Sequence, residues 1–504
     1  MVDDVTEWSR SAGRFLRFVH PSPAHRIIIS ELTLATTSRR SFLRYIFLTA
    51  GAAGTPAWLT ACAGSETLSK PNGSGDGPGG VTDPAGMEFG IPPGPLSQIG
   101  ELVDTGVDGI LAPEGFSVRA VAKHLTNPVT GVFDPLGLTG YNWHESPDGG
   151  ACYAAEDGGW VYVSNSETDG PNGGVGALRF DASANLVDAY RILDGTRRNC
   201  AGGATPWATW LSCEETGDGI VYECDPFGTP DTARALPTLG YFNHEAAAVD
   251  LATRTVFLTE DSGSGRLYRF VTDASDLTTD GEGRARLNMQ SGVLQALNIE
   301  GYENGGYAED DAIWRTLHRT SWVDVASPEM PQATVRDNLA GAGMPVPGTI
   351  FRGGEGIWIY DVPAALQSTP PGGTKPTRAL VFFASKGDNR VYAYDIDNDL
   401  IETVFDNGSI DPDFDDVDNV VVSPAGDVLV AEDGDAMRLI VAVPNAPAKV
   451  LVQVTLGGSE ITGPAFSPDG SHLYFSSQRG PNYAVGNTGS GVTYELTIPE
   501  QYRA

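Results

Sequence analysis

Asn243-His244-Glu245-Ala246-Ala247-Ala248-Val249-Asp250, a turn over 251–254, then Val256-Phe257-Leu258-Thr259-Glu260-Asp261: two short apolar runs meet across a tight turn. An acid stands near the start of the first run, and acids close the second. Short runs of this kind, bounded by turn residues, read as a β-hairpin. Clear copies recur at 418–433, with the turn Ser423-Pro424-Ala425-Gly426, and at 460–476, with Ser467-Pro468-Asp469-Gly470. Weaker copies join Cys200-Ala201-Gly202-Gly203 to Thr209–Glu215, Gly354-Glu355-Gly356-Ile357 to Val381–Ser385, and the region of Cys152 to Val161–Glu167. A third strand usually follows, as in Leu267-Tyr268-Arg269-Phe270.

The second strands end at a regular interval. Glu167 to Glu214 is 47 residues, Glu214 to Glu260 is 46, and Glu432 to Ser476 is 44. A period of about 45 residues with several strands per repeat indicates a β-propeller. Six copies predict an all-β, six-bladed β-propeller. The 95 residues from Glu260 to Glu355 exceed one period, so an insertion is expected between the third and fourth hairpins, around 289–343.

Composition agrees and sets limits. With 62 glycines and 34 prolines, the chain is too rich in turn formers for a helical bundle. The formal charge of −33 would repel a phosphate backbone, so a nucleic-acid partner is excluded. Surplus carboxylates suit a solvated extracellular surface or oxygen-rich cation sites.

The N-terminal region reads as an export signal. Ser38-Arg39-Arg40-Ser41-Phe42-Leu43 precedes an apolar run to Ala61 that three helix breakers make a poor membrane span. The arginine pair resembles a twin-arginine signal, and Leu59-Thr60-Ala61-Cys62 resembles a lipoprotein box. The expected layout is a signal over 1–62, a flexible linker over 63–100 and a propeller over 101–504. The membrane is then met only through lipid on Cys62, and the product is a monomer in the cell envelope, periplasm or medium.

The repeat also predicts a site. Antiparallel pairing brings the start of one strand beside the end of the next. Glu245, Glu355, Asp418 and Glu460 at first-strand starts, with Glu167, Glu214, Glu260 and Glu432 at second-strand ends, should therefore share one face of the central channel. So many carboxylates repel one another unless cations hold them, and calcium is the default hard cation. Cys213 lies beside Glu214 and Glu215. A thiolate among carboxylates points to a transition metal such as iron; a disulfide to Cys200 or Cys224 is the alternative.

Thr205-Pro206-Trp207-Ala208-Thr209-Trp210-Leu211-Ser212-Cys213-Glu214-Glu215 resembles the Thr-Pro-Trp-Gly-Thr-x-Leu-Thr-Cys-Glu-Glu motif of PhoX-type alkaline phosphatases. His244-Glu245, Thr259-Glu260-Asp261, Glu355-Gly356 and Glu460-Ile461-Thr462-Gly463 agree in order. The resemblance implies a divergent member that hydrolyses small-molecule phosphate monoesters at an axial cluster of Fe³⁺ and Ca²⁺. It places the thiolate ligand on Cys213 and further ligands on Glu214, Glu245, Glu260, Glu355 and Asp433, with Glu167 as an additional candidate. Asn165, His244 and Arg352 become the candidates to contact phosphate. The family's early Asn-His-Glu reads Asn165-Ser166-Glu167 here, and the arginine expected two residues before Glu355 is replaced by Gly353. Two other readings stay open: a calcium-dependent hydrolase of another class, such as a lactonase, and a non-catalytic lipoprotein whose axial calcium only fastens the blades.

Overall fold

A computed structural model describes residues 89–303, 316–406, 414, 416–434, 436–444, 446–456, 458–481 and 490–503. The proposed signal, Cys62 and the linker as far as residue 88 lie outside the described residues. Three strands open the chain: β1 (Leu102–Asp104), β2 (Ile110–Pro113) and β3 (Ser117–Lys123). Then come two four-stranded sheets in which sequence neighbours pair. The first is β4 (Pro147–Ala154), β5 (Trp160–Ser166), β6 (Gly173–Phe180) and β7 (Leu186–Thr196). The second is β8 (Asn199–Ala204), β9 (Trp210–Glu214), β10 (Val221–Cys224) and β11 (Arg234–Leu236).

The next stretch is longer. It comprises β12 (His244–Asp250), β13 (Thr255–Glu260), β14 (Leu267–Thr272), a side hairpin of β15 (Leu277–Thr279) and β16 (Ala285–Leu287), then β17 (Gly292–Ile299), β18 (His318–Asp324) and helix α1 (Gln332–Gly341). After these come β19 (Gly354–Asp361), β20 (Ala379–Ser385), β21 (Arg390–Asp395) and β22 (Leu400–Asp406). β18 pairs with β17 on one side and β22 on the other, fusing both groups into a nine-stranded sheet. The expected insertion is therefore real but begins later, because β17 is itself the fourth strand beside β14.

The chain ends with β23 (Val417–Val422), β24 (Val428–Glu432), β25 (Arg438–Ala442), β26 (Lys449–Val454), β27 (Ile461–Phe466), β28 (His472–Ser477) and β29 (Val492–Thr497). β2 extends the β23–β26 sheet at its outer edge, and β3 completes the β27–β29 sheet by pairing with β29.

The first strands pack around a common axis: β4 beside β8, β8 beside β12, β12 beside β19, β19 beside β23, β23 beside β27, and β27 back against β4. The result is all-β and propeller-like. The inner strands are covered on both faces, so β12, β13, β20, β21, β23 and β24 are buried along their whole length. That explains why their apolar runs are nearly continuous. Each fully buried Leu, Val or Phe, such as Leu429, Val163 and Phe382, contributes about 1.5–3 kcal/mol.

Glycines let the inner strands approach. A Cβ on Gly149 would lie 2.5 Å from the Cα of Ala201, and one on Gly356 would lie 2.6 Å from the Cα of Asn419. Residues 89–100, expected to belong to a linker, are seated instead. Phe89, Ile91, Leu96 and Ile99 are buried, and the Leu96 amide donates to Asp427 Oδ1 at 3.1 Å.

Candidate metal centre

Each of five first strands opens with a β-bulge: between Pro147 and Gly150, Asn199 and Gly202, His244 and Ala247, Gly354 and Ile357, and Val417 and Val420. An extra residue re-aims the side chain it carries. The second residue of these strands is, in turn, Asp148, Cys200, Glu245, Glu355 and Asp418. The residue just past each facing second strand is Glu167, Glu215, Asp261, Lys386 and Asp433. These two positions build the site.

Their ligating atoms chain together around the axis. Asp148, Glu167 and Cys200 form one group within 4.8 Å. Cys200, Glu215 and Glu245 form the next, followed by Glu245, Glu355 and Asp418, and then by Asp418, Asp433 and Glu460. The last repeat departs from the pattern. Its Gln478 Nε2 donates to Asp148 Oδ2 at 2.7 Å and to Glu167 Oε2 at 2.8 Å, and Arg479 holds Glu460 at 2.9 Å. Below the ring the axial channel narrows to a cavity of about 30 Å³ lined by Gly149, Gly202, Gly356 and Gly463 among others.

Crowding shapes the protonation. Burial raises Glu245 well above the usual carboxylate range, and Glu355, Glu215, Asp418 and Asp148 add to the rise. Burial does the same to Asp148, with Glu167 beside it, and to Glu460, with Asp433 and Asp418. Glu215 is pushed up to about 8, by burial first, against the opposing pull of Arg198. The Cys200 thiol is likewise pushed up by burial and by the surrounding carboxylates. Arg198 bridges Glu167 at 2.8 Å and Glu215 at 2.6 Å.

A cation set fits these residues. Glu245 Oε1 and Glu355 Oε1 are buried without a hydrogen-bond partner, which is costly unless a cation meets them. Carboxylates suit calcium, and Cys200 adds the softer donor that suits iron.

The structure brings Glu167, Glu245, Glu355 and Asp433 together as the sequence suggests. It corrects the others. Cys213 faces the apolar core with Trp207, Leu211, Val221 and Phe242; its thiol is free and is pushed up by burial. Glu214 turns back to accept the Arg197 amide at 3.2 Å and the Ile220 amide at 3.4 Å. Glu260 is clamped by Arg336 of α1, at 2.6 and 3.0 Å, and by the Tyr268 hydroxyl at 2.8 Å.

Two of the three phosphate candidates are turned elsewhere. Asn165 spends its amide on the Cys200 and Ala201 carbonyls, and its oxygen accepts from Trp210 Nε1 and Ser212 Oγ. It positions β8 and the cysteine on it rather than facing the mouth. His244 is buried under Phe242, with ring centroids 3.6 Å apart, and burial lowers it to about 3. Arg352 stands beside the Lys386–Asp388 turn, its Nη1 3.9 Å from Asp388 Oδ1. The sequence reading missed Asp148, Cys200 and Glu215 as ligand candidates. The signal was an acid or cysteine at the second position of five of the six first strands.

The sequence profile of the family described as Alkaline phosphatase PhoX matches residues 157–220 and 217–365. Over those residues the chain is similar to the PhoX family. Among solved structures, Pseudomonas fluorescens PhoX in complex with vanadate superposes with a TM-score of 0.57 at 16% identity, covering 80% of this chain and 98% of that one. Weaker likenesses are the Xanthomonas campestris gluconolactonase XC5397, with a TM-score of 0.39 at 11% identity over 80% and 98% of the two chains, and the Staphylococcus aureus virginiamycin B lyase, with 0.37 at 10% over 76% and 100%. No curated protein matches the chain by sequence. Within the PhoX frame the Cys-Glu-Glu segment still marks the right turn, yet only Glu215 of its three polar residues enters the ring.

Proposed function

We propose that this chain is an exported, metal-dependent phosphatase acting on small-molecule phosphate monoesters at the mouth of a six-bladed propeller. The six-blade count rests on the closed ring of first strands, with the nine-stranded sheet taken as two blades sewn together by β18. The observation that carries the function is the convergence of carboxylates and one thiol, from separate repeats, in a PhoX-like frame.

Asp148, Glu167, Cys200, Glu215 and Glu245 would hold Fe³⁺ and Ca²⁺, with Cys200 taking the place expected of Cys213. When bound, such ions supply Lewis-acid stabilisation of the charge that builds on a transferring phosphoryl group. The chain's own residues set the stage. Asn165 and Trp210 fix β8 so that Cys200 meets the carboxylates. Gln478 orients Asp148 and Glu167 together. Arg198 and Arg479 offset part of the ring's negative charge, which would otherwise repel a phosphate dianion, and Arg352 adds a guanidinium at the rim.

Export through the twin-arginine route and lipid on Cys62 belong to the same proposal, supported by Ser38–Leu43 and Leu59–Cys62, and a monomeric state is proposed with them. Among the described residues no helix is long and apolar enough to cross a membrane. The test is elemental analysis of the purified chain with p-nitrophenyl phosphate turnover. Iron and calcium should both be present, turnover should disappear on chelation, and vanadate should inhibit. A metal-replete chain without turnover would overturn the phosphatase reading.

A further inference from the structure

Lys386 breaks the pattern of the ring. At the position just past the second strand, four of the other repeats carry Glu167, Glu215, Asp261 and Asp433, and the last carries Gln478. Here an ammonium takes that place. Its Nζ lies 3.1 Å from Asp418 Oδ2, 3.1 Å from Asp433 Oδ2 and 3.6 Å from Glu355 Oε1. Those three carboxylates belong to the two neighbouring candidate cation groups, Glu245–Glu355–Asp418 and Asp418–Asp433–Glu460. Glu355 and Asp418 are buried, so their charges need a partner whether or not a metal is at hand.

We propose that Lys386 is a built-in cation that stands in for a metal ion between Glu355, Asp418 and Asp433, so that the ring loads metal only on its Asp148–Glu167–Cys200–Glu215–Glu245 side. A divalent ion within ligand distance of the same oxygens would sit against a fixed positive charge at contact range. Two like charges a few ångströms apart in a half-buried site repel strongly, because little water lies between them to screen the pair. The ammonium and the ion therefore exclude each other. The lysine side keeps its shape without metal, and the cysteine side depends on metal for its charge balance.

This inference rests on the metal-centre reading above, and the experiment separates the two. The full chain and its Lys386→Asp, Lys386→Gln and Lys386→Arg variants are loaded with Ca²⁺ and Fe³⁺, dialysed and analysed for metal per chain. Calorimetric titration with Ca²⁺ alone follows on chelator-treated protein. Lys386→Asp should hold about one more calcium ion per chain than the parent, and Lys386→Arg none. In chelator, Lys386→Gln should melt below the parent, and added Ca²⁺ should close that gap. If Lys386→Asp and Lys386→Gln hold as much metal as the parent, with no calcium-dependent recovery of melting, the inference is overturned. If the parent holds no metal and Lys386→Asp gains calcium, the metal-centre reading fails while the lysine's role stands. If neither holds metal, both fall.

Discussion

Cys200 and Cys213 lie on neighbouring strands of one sheet, and they have opposite surroundings. Cys200 occupies a bulge and meets Asp148, Glu167, Glu215 and Glu245. Cys213, on the regular strand β9, is packed among Trp207, Leu211 and Val221. The contrast extends to their neighbours: Glu215 enters the ring, while Glu214 binds backbone amides one residue earlier. In β structure a step of one residue reverses the face. Chemistry and packing are thus interleaved along the same few residues, and substitutions can separate them.

The sharpest separation is at Glu260. Glu260→Ala leaves Arg336 buried without its carboxylate and should destabilise the fold by about 3–5 kcal/mol in denaturant unfolding, with metal content unchanged. Metal loss at wild-type stability would return Glu260 to the ligand set.

Cys200→Ser should lower iron content and phosphate-ester turnover by at least about 100-fold, since even outer partners of metal ligands cost about 10–100-fold. Its paired control, Cys213→Ser, should keep iron and turnover and instead lose about 1–3 kcal/mol, because a hydroxyl enters an apolar core. The reverse pattern would exchange the roles of the two cysteines.

The fold was legible because each hairpin carries its own turn and its own apolar runs, and the copies recur at nearly constant spacing. Strand-one starts were also legible: Glu245, Glu355, Asp418 and Glu460 all reach the ring. The strand-two ends misled. Glu214, Glu260 and Glu432 are acids at strand termini, but after Glu214 and Glu432 the ring takes the next residue along, Glu215 and Asp433. Glu432 is held instead by Arg438 at 3.1 Å. Nor could local pattern reveal Arg336, which reaches Glu260 from an inserted helix 76 residues away. Bulges hid the rest, because an extra residue resets the alternation on which face assignment depends.

The comparison also has a pH signature. Glu215 shifts from the usual 4.5 to about 8, so within that window the folded, metal-free chain keeps a proton that the unfolded chain has released. Stability from this group is complete below about pH 4.5 and is lost as pH rises through about 8. Thermal unfolding of chelated protein should therefore weaken from pH 5 to 9, and bound metal should flatten the slope. A chelated protein that gains stability over that range would contradict the crowded-ring account. The smallest effect belongs to Glu214→Gln, whose one carbonyl oxygen keeps the Arg197 amide and gives up the longer contact to the Ile220 amide. It should change stability by about 1 kcal/mol or less and leave metal content alone.

β3 and β29 are separated by nearly the whole described chain, yet they pair along their full length. The circle is fastened only when the last strand made finds one of the first. Such a long-range latch slows folding, and a polypeptide cut short before Val492 would leave β28 with a raw hydrogen-bonding edge. Closure thus depends on a single pairing between strands from opposite parts of the sequence.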